Sequence, residues 1–345
     1  MRFAALLGAC AVTQAASECK DLFAPPFTGV PIQIMLGISC PAVDMCFVAG
    51  GNSAGYGVYQ VGDPTFKSGV KQLAVNGKSP MKLLMTTAME DSTHGVVGGL
   101  GLLIGGTYYT VDGQTFESST FEYGLVTTQA AYTLGGGHFA YVGSYNGHQG
   151  AAISTNGGVS YKGAWWPKNF SADAPARYGA FPSDSTMYVT GGTWPQDNQS
   201  DTRDMSSRVR FNTNTGKHEV RMGARANQGT TGEFTAAITK STDGGATWKV
   251  QYHNTGKFYF NGIHCASATV CMAVAEGDTG AHVFKTEDGE TWKEILVWGN
   301  TTGGSAMDVK MLSETEAWVG FAFAVSTLNS GAVMAHTTDG GKTWD

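Results

Sequence analysis

Glu276 and Asp278 stand two residues apart in "CMAVAEGDTG". Two carboxyl groups set about 5–10 Å apart around a glycosidic bond can hydrolyse it, one as acid and the other as base or nucleophile. Asp91, Glu233 and Asp308 are further carboxylates of this kind. Carboxylates in loops are more often solvated turn residues, and spacing along the chain does not show whether two of them converge. A second cluster has a different chemistry. Between 195 and 232 the chain carries Arg203, Arg208, Arg210, Lys217, Arg221 and Arg225 against Asp197, Asp201, Asp204 and Glu219, six against four, in a protein of formal charge −6. Trp194 stands at the root of this stretch. Arginine beside exposed aromatics suits an acidic peptide or a glycan. A long, internally salt-bridged loop has the same composition.

Other chemistries find little support. The eight histidines show no metal-ligand spacing. "GGLGLLIGG" at 98–106 is glycine-rich but opens no helix, so it does not read as a phosphate loop. No cofactor and no metal are expected. The negative net charge argues against a nucleic-acid partner.

Cys40 and Cys46 in "ISCPAVDMCFVAG" align residue for residue with Cys265 and Cys271 in "IHCASATVCMAVAE". In an oxidising compartment each pair reads as a local disulfide clamping a hairpin turn. The rival is a zinc site of four thiolates, for which the five-residue gap is wider than the usual knuckle. Cys10 falls in the leader described next, and Cys19 is left over. The N-terminus "MRFAALLGACAVTQAAS" has a positive residue, a short apolar run and small residues at Ala15 and Ser17, the pattern of a signal peptide over 1–17. Its apolar run is shorter than the roughly 20 residues that span a bilayer, so no membrane span is expected. Asn169, Asn198 and Asn300 begin Asn-x-Ser/Thr sequons, the acceptors of N-glycosylation. Together these predict a secreted glycoprotein.

The elements that must position these residues are announced by a repeat. "KSTDGGATWKV" at 240–250 recurs as "FKTEDGETWKE" at 284–294 and "HTTDGGKTWD" at 336–345. Weaker copies are "STNGGVSY" at 154–161, "TVDGQTF" at 110–116 and "VYQVGDPTF" ending at Phe66. The closing aromatics Phe116, Tyr161, Trp248, Trp292 and Trp344 lie 45, 87, 44 and 52 residues apart. A gap near twice the others hides an insertion or an unmarked repeat. Before each copy come small-residue strands such as "CMAVAEG" and "AWVGFAF". Four strands at a period of about 40–50 residues signal a propeller blade. Forty-eight glycines without a Gly-X-Y period suit short strands joined by tight turns. In each copy Ser or Thr and Asp can bond nearby backbone N–H groups. Glycine supplies the positive φ, and the aromatic has a large surface to bury between sheets.

"STDGGATW" and "TTDGGKTW" match the Asp-box, or BNR, pattern S/T-x-D-x-G-x-T-W. In "KTEDGETW" Asp288 is shifted one place relative to the glycine, in "STNGGVSY" Asn156 replaces the Asp, and "TVDGQTF" ends in Phe. The chain resembles the Asp-box propellers: sialidases, xyloglucanase-type glycoside hydrolases, the sortilin luminal domain, and photosystem II assembly and stability factors. The resemblance implies an all-β, six-bladed propeller of four-stranded antiparallel blades. The units are 32–72, 80–120, 125–166, 175–252, 258–298 and 305–345, in one domain over 18–345 with an insertion at about 195–232. Seven blades is the alternative, if the insertion forms a blade of its own. The segment 19–31 could supply a missing last strand. Asp-boxes in these families are structural, so the match leaves activity open. A sialidase binds its substrate carboxylate with arginines from several blades. Here Arg177, Arg203, Arg208, Arg210, Arg221 and Arg225 fall in one blade and its insertion, and sialidase activity is not expected. The expected function is a scaffold binding a protein segment or a glycan. The alternative is a secreted carbohydrate-active enzyme using Glu276 and Asp278.

Overall fold

A computed structural model describes residues 34–52, 55–62, 70–76, 83–100, 106–120, 126–145, 148–167, 175–193, 209–212, 217–220, 233–277, 280–298, 304–323 and 331–345. Among them there is no helix, and every regular element is a strand. Two compact units are distinguished: the first runs to residue 147 and takes in 152–163, and the second holds 148–151 and 164–345.

In the first unit Ile34–Ala42, Met45–Asn52, Gly55–Val61 and Val70–Gln72 form a four-stranded antiparallel sheet in chain order. Leu83–Met89, Gly95–Leu100, Thr107–Thr110 and Thr115–Ser118 form the next. The short strand Ala74–Asn76 adds in parallel to the outer edge of that second sheet, a link the sequence did not announce. Val126–Gly135 and His138–Tyr145 form a hairpin. His148–Ser154 and Lys162–Trp165 lie where the chain passes between the units. The second unit contains the sheet Ala176–Ala180, Met187–Thr193, Thr235–Ser241, Lys249–Thr255. It also contains Phe258–Cys265, Cys271–Gly277, Gly280–Thr286, Lys293–Trp298. Last come Gly304–Met311, Ala317–Phe323 and Gly331–Thr337. The predicted all-β class and its four-stranded antiparallel grouping are therefore observed.

Burial explains the small-residue strands. In Cys271–Gly277 all seven residues are buried. Side chains alternate across a strand. Cys271, Ala273 and Ala275 face a cluster holding Tyr188, Ala236 and Ile238 of the preceding sheet. Met272 and Val274 face a cluster holding Ala306, Val309, Val319 and Phe321 of the following one. A middle strand sandwiched between two sheets has no polar face, so alternation is lost. In the first unit Phe47, Ala49 and Val58 meet Leu84, Val97 and Phe116 in the same way.

The repeated turns close as the residue types require. Ser241 Oγ donates to Asp243 Oδ1 at 2.8 Å and accepts the Gly245 N–H at 2.8 Å. Asp243 accepts from Thr247 N at 2.8 Å and from Thr247 Oγ1 at 2.6 Å. Thr337, Asp339, Gly341 and Thr343 repeat this arrangement. The copies at 110–116 and 286–292 are one residue shorter: Thr110 and Thr286 accept from Gly113 and Gly289, three residues on instead of four. The shift of Asp288 relative to its glycine is thus a shorter turn with the same bonds. Gly245 has φ +87°, and a Cβ there would overlap Ala164. Gly341, at φ +90°, presses likewise against Ile295 of the neighbouring sheet. The closing aromatics seal sheet against sheet. Phe116 is fully buried against the first sheet, Trp292 meets Tyr188 edge-on at 6.1 Å, and Trp344 packs against the cluster that holds Met272 and Val274. Phe66 lies outside the described residues, as does the segment 19–31.

Both disulfides are formed, Cys40–Cys46 and Cys265–Cys271, so the four-thiolate alternative falls away. Cys265 and Cys271 are directly opposed in the hairpin, and the bridge clamps its turn. Cys10 and Cys19 lie outside the described residues.

The side-chain bond from Thr247, followed by its backbone N–H, pulls the Asp243 carboxyl down to about 2. A depressed folded-state value stabilises above the ordinary carboxylate range, and that contribution is lost as pH falls toward 2. Asn156 holds its turn with neutral groups, Oδ1 accepting from Ser160 N at 3.0 Å. Asp243→Asn should therefore keep the fold and weaken the drop in denaturation midpoint between about pH 4 and 2. Replacing Cys265 and Cys271 with alanine should cost about 2 kcal/mol in urea unfolding, the low end for a short loop.

Candidate functional site

The second unit contains a groove of about 460 Å³, within the range of small-molecule sites. Tyr252, Phe258, Phe284 and Trp292 supply its aromatic lining, and Lys257, His282, Glu294 and Val297 complete it. Four strands contribute. Tyr252 lies on the outer strand of one sheet, Phe258 opens the inner strand of the next, His282 and Phe284 sit two apart on one face of that sheet's third strand, and Glu294 and Val297 lie on its fourth. The rings are mutually packed: Tyr252 and Phe258 lie 5.1 and 5.2 Å from Phe284, and Phe258 lies 4.6 Å from His282. Trp292 is held by its indole N–H, which donates to Gln251 Oε1 at 3.0 Å. Glu294 is directly opposite Phe284 across the strand pair, beside a bulge at Val283 and Phe284.

His282 and Glu294 are the polar pair of this groove. The imidazole Nδ1 lies 2.7 Å from Glu294 Oε1. Burial pushes the His282 value below its ordinary one, and the bond to Glu294 pulls the other way. At neutral pH the ring is uncharged, with Nδ1–H donating to the carboxylate. The site therefore offers apolar ring faces at its base and one acceptor-rich carboxylate at its half-exposed edge.

Glu276 lies nearby in sequence but in a different environment. Its side chain is 3% exposed. One oxygen, Oε2, accepts from Tyr259 OH at 2.9 Å, Asn261 Nδ2 at 3.1 Å and Ser305 Oγ at 2.6 Å. Asn261 Nδ2 also reaches the Ala306 carbonyl at 3.2 Å. These bonds join three strands, and the backbone pairs Tyr259 with Glu276 and Glu276 with Ser305. Arg177 is buried over the Tyr259 ring at 4.8 Å. Glu276 thus ties inner strands of adjacent sheets together from within.

The other candidate residues are placed separately. Asp91 caps an exposed turn, accepting from Thr93 N at 2.6 Å and His94 N at 2.7 Å. Glu233 is exposed at the entry to Thr235–Ser241, and Asp308 is exposed on Gly304–Met311. Asp278, Trp194, Arg203, Arg208, Arg221 and Arg225 lie outside the described residues, as do the sequons Asn169, Asn198 and Asn300. Arg210 is described in its backbone alone, in the strand Val209–Asn212, opposite Glu219 of Lys217–Val220. That hairpin departs from the chain between Met187–Thr193 and Thr235–Ser241, which pair directly along their whole length. Among the described residues no three His, Cys, Asp or Glu side chains converge as metal ligands. Sequence reasoning missed the groove. Its signal was the aromatic density of "FYF" at 258–260 with Tyr252 and Phe284, which reads as core until the strands are placed.

Removing a donor from the buried carboxylate should be costly without touching the groove. Asn261→Ala should lower unfolding stability by about 2 kcal/mol, the penalty for leaving buried polar groups unpaired. Thermal and chemical denaturation check this.

No protein-family profile matches the chain, and no curated protein matches its sequence. Solved structures do match in fold. A polysaccharide lyase of family PL25, an ulvan lyase, superposes with a TM-score of 0.55 at 10% identity, covering 92% of this chain and 85% of that one. The GH74 xyloglucanase from Xanthomonas campestris superposes with a TM-score of 0.50 at 14% identity, covering 92% of this chain and 45% of that enzyme. YCF48 bound to a D1 peptide aligns over 84% of this chain and 91% of its own at 11% identity, with a TM-score of 0.38, too loose to transfer anything. At the level of fold, then, the chain is similar to the propeller proteins, in agreement with its Asp-box repeats.

Proposed function

We propose that this chain is an Asp-box propeller of six blades that works as a binding scaffold, with a glycan as the occupant of its aromatic groove. The observation that supports this reading is the groove itself, four aromatic rings beside the His282–Glu294 pair. Aromatic faces bury the apolar faces of sugar rings, and a carboxylate at the edge accepts from their hydroxyls. A protein segment is the other occupant such a surface takes. Secretion, the sequons and the two disulfides belong to the same reading, since a glycan-binding scaffold outside the cell works in an oxidising compartment. The alternative is a carbohydrate-active enzyme working through Glu276 and Asp278. Glu276 favours the scaffold, because its oxygen is engaged by three donors away from solvent.

The test is a paired glycan and peptide array, with a hydrolysis screen on polysaccharides. Binding to a glycan should fall at least tenfold in Glu294→Gln, with a melting temperature close to the parent, and in Tyr252→Ala, which should also melt lower because its ring packs on Phe258, Phe260 and Phe284. Deletion of 200–228 should leave that binding intact. If the deletion alone abolishes binding, the basic insertion is the working surface and the groove is not. Polysaccharide hydrolysis lost in Glu276→Gln would overturn the scaffold reading.

A further inference from the structure

Two Asp-box turns close on themselves through their tryptophan. Trp248 Nε1–H donates to the Gly245 carbonyl, three residues back, at 3.2 Å, and Trp344 Nε1–H donates to that of Gly341 at 3.1 Å. Trp292 stands at the same spacing from Gly289 but is bonded differently. Its indole N–H donates to Gln251 Oε1, on the outer strand of the preceding sheet, at 3.0 Å. The Gly289 carbonyl instead receives Gln251 Nε2 at 2.7 Å and Lys240 Nζ at 2.8 Å. A carbonyl oxygen has two lone pairs, and these two donors occupy them. Turning the Gln251 amide over would set N–H against N–H and oxygen against oxygen, so the two bonds fix its orientation.

One position accounts for the difference. The residue three places after a closing aromatic faces the turn of the next copy: Ala164 follows Tyr161, Gln251 follows Trp248, and Ile295 follows Trp292. Gly245 abuts Ala164 and Gly341 abuts Ile295, apolar side chains with nothing to offer an indole N–H. Of the three, Gln251 alone can accept. Gln251 and Ile295 are also placed alike in their ladders. Val250 and Tyr252 oppose the consecutive residues Thr239 and Ile238, which leaves Gln251 as the extra residue of a bulge. Glu294 and Leu296 oppose Phe284 and Val283 and leave Ile295 in the same way. A bulge re-aims a side chain out of the strand's alternation, here toward the adjoining turn.

We propose that Gln251 is the positioning residue of the aromatic groove: by accepting the indole N–H it draws Trp292 off its own turn and sets that ring as a groove wall. The inference rests on the glycan-binding reading for its ligand and on the bonds of the indole for its mechanism. Trp292 is largely buried and lines the groove, with Tyr188 edge-on to it at 6.1 Å. Tyr252, the residue after Gln251, lines the same groove, so two neighbours in the chain place two of its rings. The bond to Gln251 uses the single donor that a tryptophan has. The ring therefore offers a ligand apolar surface alone, and polar recognition falls to the exposed Glu294 and Lys257. A neutral sugar suits this division, with a C–H face on the indole and hydroxyls toward the charged groups. Gln251 acts through the ring and not on the ligand.

The experiment uses the full chain, isotope-labelled at the tryptophan indole nitrogens, with the N–H signals assigned through Trp248→Phe, Trp292→Phe and Trp344→Phe. Cellohexaose, a neutral sugar chain whose rings expose C–H faces, is the probe ligand. Gln251→Ile gives this position the residue that the following sheet carries there. It should shift the Trp292 signal, leave those of Trp248 and Trp344 in place, and weaken cellohexaose binding about fivefold, the worth of one ordinary hydrogen bond. Gln251→Glu keeps an accepting oxygen and should retain most of the parent affinity. Circular dichroism and melting confirm that each variant is folded. A Trp292 signal unmoved in Gln251→Ile, an affinity unchanged there, or an equal loss in Gln251→Glu would overturn the assignment. If the parent does not bind cellohexaose, the glycan reading loses this sugar, and the Trp292 signal still decides whether Gln251 sets the ring.

Discussion

A middle strand buried on both faces governs the rest of the structure. Cys271–Gly277 has neighbouring sheets on either side, so its residues must be small and apolar and its two faces must fit two different partners. Close packing of this kind tolerates little change in volume. It also leaves each sheet unable to complete its core alone, as in other repeat architectures. The Asp-box turns serve this constraint. Each sets a bend with bonds from a hydroxyl and a carboxylate or amide, and delivers a large aromatic onto the adjacent sheet. Charge is not essential to the bend, since Asn156 holds it with neutral groups. Length is not essential either, since Thr286 and Asp288 close it with one residue fewer.

Polar groups inside such packing have to be satisfied locally. Glu276 illustrates one solution. It extends the pairing of backbones into a side-chain tie between Tyr259, Asn261 and Ser305. Lys240 illustrates another: its ammonium donates to the Gly289 carbonyl at 2.8 Å and to Glu290 Oε1 at 2.9 Å, anchoring one sheet to the Asp-box turn of the next. The same architecture leaves some aromatic surface uncovered. Tyr252, Phe258 and Phe284 are core residues by composition, yet their outer edge borders a groove with His282 and Glu294. Stability and recognition draw here on the same rings.

The sequence by itself determined the repeat, the turn chemistry and the two disulfides. All three are local: Ser or Thr, Asp, Gly and an aromatic lie within eight residues, and Cys265 and Cys271 within seven. Hydrogen-bonding capacity and spacing suffice for such features, and the copies at 241–248 and 337–344 could be read residue by residue. The all-β class followed from the same periodicity. Only the tertiary structure decided what depends on separate strands meeting. Glu276 resembled a loop carboxylate beside Asp278, and its burial emerged only when Tyr259 and Ser305 flanked it in the sheet. The groove draws on Tyr252, Phe258, His282 and Glu294, and the contact between His264 and Lys310 joins residues 46 apart. Alternation along one strand shows which residues share a face. Register and the angle between sheets show which faces meet, and these arise from packing over the whole unit.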